Sequence, residues 1–527
     1  MQNSTVSSPP SRVPTFARLV HWLFSWRMLR RAVVGIAALL TLGALFYAEE
    51  NWRGKRAWEN YKQELEAKGV QLNFRAFAPP PVPDDQNFAM TPFFAPLYDF
   101  LPGTQTRRDT NAFSRTMDFA QKAGVSAKSE WPEGARIDLA DWLAVLETNS
   151  PAARRRHDVD NDVDQVKIAA GIIACLKEYS PVLEELRAAS HRTHSRFNIR
   201  YDEENPWAIL IPHLSTLRRI GNLLEARAAA ELALGNADAA SNDLELIFFL
   251  ARSIQDEPLE ISQLVRIAIL RDNALQIVWE GLADRRWSDA QLRDFQAQLQ
   301  RLTILKNATA ALQAERAAGN ETCESLRASA DADRIFNSVF GNGQAFGFFY
   351  FRLGPRAWMY REQINYNRFF DEEILPGFDP AAGQIHPRIV EDHAHELEKM
   401  IAPTDVRFVN HRVIASVLLP ASVHIIRKTA FAQTAVNEAL IACALERYRQ
   451  ANGQFPDTLD ALAPKLIEKA PSDIIGGQPL KYHRAVDGQF VLYSVGWNEK
   501  DDGGSIVKKG SRMDVPQGDW VWKYPAK

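Results

Sequence analysis

The chain has 527 residues, a formal net charge of −3, and side chains that are 46% hydrophobic and 24% charged. That length allows two or three separately cored domains, and the near-neutral balance excludes a global basic field, so nucleic acid is not an expected partner. The three cysteines, Cys175, Cys323 and Cys443, are widely spaced, which excludes a disulfide framework and a CxxC metal site.

Residues 32–48, AVVGIAALLTLGALFYA, carry no charge and reach about 25 Å as a helix, the short end of a bilayer span. Residues 1–31 contain Arg12, Arg18, Arg27, Arg30 and Arg31 and no acid, whereas Glu49 and Glu50 follow the apolar run at once. The positive-inside rule then makes 1–31 a cytoplasmic basic segment, 32–48 a transmembrane helix and everything beyond extracytoplasmic. Trp22, Phe24 and Trp26 among the arginines predict that residues 16–29 lie along the inner interface. Two other readings compete with an uncleaved anchor. A cleaved signal would need a small residue where Phe46 stands, and a buried core helix would need covering from all sides.

Residues 49–89 read as a polar helix stopping at Gly69, then a proline-rich tether, FAPPPVPDDQNF, stiff enough to act as a spacer. Residues 90–428 read as a mainly helical extracytoplasmic domain. Ile168, Ile172, Leu176, Tyr179, Leu183 and Leu186 form one apolar stripe, which Pro181 should kink or split. A second stripe runs through Leu214, Leu217, Ile220 and Leu224, and Gly235-Asn236 marks a turn between helices. Ser288 with Gln291 is a capping box. The aromatic cluster Phe348–Phe351 reads as packing between helices.

No residue pattern announces a reaction. Glu391, Asp392, His393, His395 and Glu396 offer the best enzymatic candidate, but His393 and His395 diverge on a helix and miss the His-Glu-x-x-His spacing of zinc proteases. His191 and His194 stand among arginines and read, like that first group, as a solvated charged face.

The C-terminal residues 429–527 carry the strongest organisation. Val436, Leu440, Ile441, Ala444, Leu445 and Tyr448 predict one amphipathic helix over 429–450, capped by Asn452-Gly453 and stopped by Pro456. A short helix to Leu462 follows, and then strands over 480–484 and 490–495 joined around Asp487-Gly488. This order resembles the globular part of the major pseudopilins of type II secretion systems. The match falls on Tyr448, Asn452-Gly453, Phe455-Pro456, Leu459, Leu462, Gly477, Pro479, Leu480, Tyr482, Ser494, Gly496, Gly503-Gly504, and Asp519 with Trp520 or Trp522. Unlike the family, the chain has no prepilin-peptidase site, and VNHRVIASVLLPASVHIIRK before the helix is interrupted by Pro420 and His424. The resemblance implies a small α+β head reused on an anchored protein, in the inner membrane of a Gram-negative cell with its body in the periplasm. It also implies a calcium-binding loop, here carrying Asn498, Asp501, Asp502 and Asp519, whose oxygens suit a hard cation.

The expectation is therefore a mainly α protein: an N-terminal transmembrane helix, an all-α middle domain and a pseudopilin-like α+β C-terminal domain. Its expected role is structural or in binding other envelope proteins, in secretion-like assembly. The alternatives are a periplasmic peptide- or protein-binding scaffold with an apolar groove around residues 210–280, and an envelope hydrolase in which His393, Glu396 and another distant carboxylate or His converge in one pocket.

Overall fold

A computed structural model describes residues 26–101, 104–123, 131–149, 165–203, 205–328, 337, 350, 354–401, 409–510 and 512–524. Residues 16–25 of the expected interfacial segment therefore lie outside the described residues, as does the Phe348–Phe351 cluster apart from Tyr350. Helix accounts for 66% of the structure and strand for 8%, so the protein is mainly α.

The helices in chain order are α1 (Trp26–Ala67), α2 (Thr110–Ala123), α3 (Leu139–Asn149), α4 (Gln165–Leu176), α5 (Ser180–Ala189), α6 (Pro212–Ala233) and α7 (Ala237–Arg252). They continue with α8 (Glu260–Ala268), α9 (Leu275–Ala283), α10 (Asp289–Gln300), α11 (Ile304–Ala328), α12 (Arg356–Phe369), α13 (Pro387–Ile401) and α14 (Val413–Asn452). Many of the local signals act as the sequence requires. Pro181 splits α4 from α5 through a 3₁₀ turn at Lys177–Tyr179. The Ser288–Gln291 capping box opens α10, and Gly235, at φ 83°, turns the chain between α6 and α7.

Helix α1 is one unbroken rod of about 63 Å. Between Leu29 and Phe46 its leucines, valines, isoleucine and phenylalanine are all 52–70% exposed. Hydrating that surface costs on the order of 2 kcal/mol per side chain. Beyond Glu49 the same helix changes character and docks on α12, burying Gly54, Trp58 and Leu65. It ends where Val70 N–H donates to Leu65 O (3.0 Å) and Gly69 takes φ 79°, a closing turn that glycine adopts without strain.

The proline-rich segment is not the free spacer expected. Phe74 and Phe88 are buried, and the Phe88 ring meets Phe249 edge-on at 4.8 Å. Asn87 holds the strand-like stretch of the body at Arg196, donating to its carbonyl (2.8 Å) and accepting from its N–H (2.8 Å). The prolines stiffen a strap that lies on the helical body, because apolar residues flank them on both sides.

Helix α14 crosses the boundary expected at 428/429. It starts sixteen residues before Thr429, at Val413, and runs through Pro420 without breaking. An internal proline costs about 3 kcal/mol. Around it Ile414, Ala415, Leu419, Ile425 and Ile426 are all at most 1% exposed, and Ser422 Oγ donates to the buried Glu260 (2.8 Å), so tertiary packing holds the helix through the interruption. At the other end Gly453, at φ 82°, forms the left-handed cap.

The C-terminal strands form two small sheets. In the first, β4 (Phe490–Ser494) lies between β3 (Lys481–Arg484) and β7 (Trp520–Trp522), all antiparallel, with Tyr482 opposite Leu492 and Leu492 opposite Trp522. In the second, β5 (Ile506–Lys509) pairs with β6 (Arg512–Gly518). A further pair, β1 (Phe378–Asp379) and β2 (Gln384–Ile385), precedes α13. The first sheet does not stand apart from the helices. Trp522 lies 5.1 Å from Trp131, and Trp279 Nε1 donates to Lys523 O (2.8 Å). One continuous apolar core runs from Phe74 through the middle helices to Trp522.

Candidate functional site at the joint between stem and body

The most developed polar arrangement lies where α1 leaves its bare apolar half and meets α12, which in turn packs on α14. Asn51 Oδ1 accepts from Ala357 N–H (2.9 Å), capping α12 from the neighbouring helix. This helix opens on Pro355, which offers no side-chain cap. Glu50 pairs with Arg361 at 2.6 Å. Gly54 is required by the close approach, since a Cβ there would sit 2.8 Å from the Cα and Cβ of Ala357.

From Arg361 a chain of hydrogen bonds runs inward. Arg361 Nη1 lies 3.3 Å from His411 Nε2, His411 Nδ1 meets the Tyr350 hydroxyl, and Tyr350 donates to Glu362 Oε1 (3.1 Å). Glu362, wholly buried, accepts from the first N–H groups of α14: Val413 on Oε1 (3.1 Å) and Ile414 on Oε2 (3.0 Å). A carboxylate at a helix N-terminus suits both the orphan amides and the helix dipole.

The proton positions follow from the donors. Tyr350 has one O–H, given to Glu362, so His411 must donate Nδ1–H to the Tyr350 oxygen and offer Nε2 to Arg361. The relay thus requires a neutral histidine and accepting oxygens on Glu362. Burial, with Arg361 beside it, depresses His411 to about 4. Burial also raises Glu362 to about 7, a rise that the two amides and Tyr350 only partly offset. Glu362 therefore changes charge near neutral pH. His411 itself holds a left-handed φ of 53°, an uncommon conformation for a residue with a Cβ.

Farther along α1 a cleft of about 720 Å³ opens between stem and body, lined by Trp58, Lys62, Glu66, Arg75, Glu321 and Glu324 among others. Its floor reaches Asn320, which belongs to a buried network: Asn367 Nδ2 donates to Asn320 Oδ1 (2.8 Å), and Arg316 reaches Asn367 (2.6 Å) and Asp371 (2.8 Å).

The residues singled out from the sequence fall elsewhere. Asp519 accepts from Asp502 N–H (3.2 Å) on one oxygen and from Gly504 (2.6 Å) and Ser505 (3.3 Å) on the other. Asn498 donates to Asp502 (3.0 Å). Asp501 accepts from Tyr493 and Gly503 and pairs with Lys481 at 3.4 Å. These oxygens are held by amides of the loop itself and by Tyr493 and Lys481 of the adjoining strands, and no group of three or more His, Cys, Asp or Glu placed to hold a metal occurs among the described residues. As they stand, the four residues form a hydrogen-bonded loop.

On α13, His393 stands 3.1 Å from Glu373, while Glu396 is exposed beside Lys399. Glu373 is thus a distant carboxylate brought to His393, and the charge of Glu396 also acts on Glu373, but Glu396 lies in open solvent, so the three are not enclosed together. Glu391 instead accepts from Trp497 Nε1 (2.6 Å) and pairs with Arg427, fastening α13 to the C-terminal loop. Helix α6 is buried along most of its length, but its Arg227 and Glu231, with Ala239, Asn242 and Asp243 of α7, line a cleft of about 600 Å³ against α4 and α5, so the groove within 210–280 is a partly charged one and not the broad apolar face expected.

No protein-family model, curated protein or solved structure matches this chain.

The relay was not visible in the sequence. In α12 Glu362, Gln363 and Asn367 are wholly buried, yet the segment RAWMYREQINYNRF reads as a polar surface helix. The only available signal was the acid pair Glu49-Glu50 directly after the apolar run, and it does not say which acid turns inward.

Proposed function

We propose that the protein is a single-pass, membrane-anchored envelope protein with a structural or protein-interaction role, whose helical body is held upright on its anchor. One observation carries this reading: the apolar half of α1 is bare, while the other half of the same helix is fixed to the body by Asn51, Gly54 and Glu50. The other long apolar helix, α14, is mostly buried in the core. An uninterrupted helix carries a fixed orientation from bilayer to body, whereas a flexible spacer would not.

The basic residues before α1 favour a cytoplasmic N-terminus and a periplasmic body. On this reading the C-terminal unit is a pseudopilin-like head built into the body, suited to secretion-like assembly with other envelope proteins. The 496–505 loop is then the place for calcium, which would have to exchange the present hydrogen bonds of Asp501 and Asp502 for cation contacts. The stem–body cleft supports a second reading, a scaffold that binds a peptide or protein segment close to the membrane.

Single cysteines in a Cys175→Ser background test the anchor and its direction. Cys323 and Cys443 are buried and leave the background quiet. A membrane-impermeant maleimide added to cells with a permeabilised outer membrane should label Glu59→Cys at once, and Ser7→Cys only after the inner membrane is opened. Recovery of the chain in the soluble fraction, or the reverse labelling, would contradict the proposal.

A further inference from the structure

We propose that Arg252, Arg266 and Arg301 form a binding site for a phosphate-type oxyanion where helices α7, α8, α10 and α11 meet. Arg266 is 0% exposed. Its Nη1 donates to the amide oxygens of Gln263 (3.3 Å) and Asn307 (2.9 Å), while its Nε and Nη2 are buried without an acceptor. Arg252 donates to another neutral oxygen, that of Gln298. Among the described residues none of the three arginines is in an ion pair. Asp256 is the acid whose charge acts on Arg266, and it stands exposed at the surface, while Arg252 acts with the opposite sign. A guanidinium enclosed without counter-charge is costly.

Helix dipoles explain two of the arginines but not the third. Arg252 closes α7 and Arg301 is the C-cap of α10, positions that favour cations. The Arg266 carbonyl is already engaged by Ile269 N–H, and the helix runs on into a π turn at Ile269–Ala274, so no free helix end faces this charge. Burial decreases from Arg266 through the half-buried Arg252 to the exposed Arg301, and the charge of Arg252 acts on Arg266 while that of Arg301 acts on Arg252, so the three form a graded series from core to surface. The missing element is negative charge with several acceptor oxygens. A phosphoryl dianion supplies both, and the planar forks of neighbouring guanidiniums match it. The same chemistry is carried by free phosphate and by an acidic lipid headgroup.

The test uses the full chain in non-ionic detergent. Equilibrium dialysis with labelled inorganic phosphate, at ionic strength held constant with sodium chloride, should show one saturable phosphate per chain, bound at least tenfold more weakly by Arg266→Met and Arg301→Ser. Arg301 is exposed, so its replacement keeps the test valid should Arg266→Met not fold. In nanodiscs, a rise in melting temperature with phosphatidic acid over phosphatidylcholine, lost in Arg301→Ser and unaccompanied by free-phosphate binding, would identify a headgroup as the source. Binding of neither probe, or equal binding by wild type and both variants, overturns the proposal.

Discussion

Glu362→Ala will lower the stability of the protein by about 3–5 kcal/mol. The substitution leaves Val413 N–H, Ile414 N–H and the Tyr350 hydroxyl without an acceptor in a site from which water is excluded. Each orphaned donor costs about 1–3 kcal/mol, and the opened space cannot take up all three. Glu362→Gln keeps one acceptor oxygen but turns an amide NH₂ towards the remaining donors, so a loss of about 1–2 kcal/mol is expected. Denaturant unfolding in detergent micelles measures both. If Glu362→Ala stays within 1 kcal/mol of wild type, the carboxylate is not what starts the long helix.

Stability will also fall as pH rises from about 4.5 through about 7, and Glu280→Gln will remove part of that fall. Glu280 accepts from Ile137 N–H (2.8 Å) and Gln276 Nε2 (2.9 Å) in the seam between α9 and the 131–137 segment. Burial raises it from 4.5 to about 7, and the two hydrogen bonds offset only part of the rise. Below 4.5 it is protonated in both folded and unfolded chains. Between 4.5 and 7 only the unfolded chain releases the proton, so the stabilisation present at low pH is lost as pH passes through the folded value. A shift of this size corresponds to roughly 3 kcal/mol at pH 8. Glu362 contributes with the same sign. His411, depressed from 6.5 to about 4, opposes it, because stability rises with pH between those two values. Glu280→Gln keeps the acceptor oxygen, so the variant should match wild type at pH 4 and exceed it by up to about 3 kcal/mol at pH 8. A pH profile parallel to wild type would mean that Glu280 ionises freely.

What the sequence reveals and what it conceals divide along physical lines. Gly69, Pro181, the Ser288–Gln291 box, Gly453 and the Asp487-Gly488 hairpin are local instructions, read within a few residues, and each lies where its chemistry places it. Pro420 is local too, but its effect is overridden by the packing of Leu418, Leu419, Ile425 and Ile426, residues whose partners lie far away in sequence. The proline-rich strap misleads for the same reason, since nothing near Phe74 or Phe88 tells that Tyr201 and Phe249 await them. Buried acids are the hardest to read. Glu50, Glu280 and Glu362 look like any surface glutamate until a partner 311 residues away, one 143 residues away and a helix N-terminus, respectively, turn them inward. The loop residues Asn498, Asp501, Asp502 and Asp519 were legible as a cluster, but not as a cluster bonded to its own backbone.

The central claim is that α1 and the body form one rigid piece. Spin labels at Glu59→Cys on α1 and Glu372→Cys on the body, both exposed positions, test it through the distance distribution between them in a Cys175→Ser chain reconstituted into nanodiscs. The account predicts a single narrow distribution that broadens in Gly54→Leu, where a side chain must push α1 away from Ala357. A broad distribution in the parent chain, unchanged by Gly54→Leu, would show that the stem swings free of the body and would contradict the account.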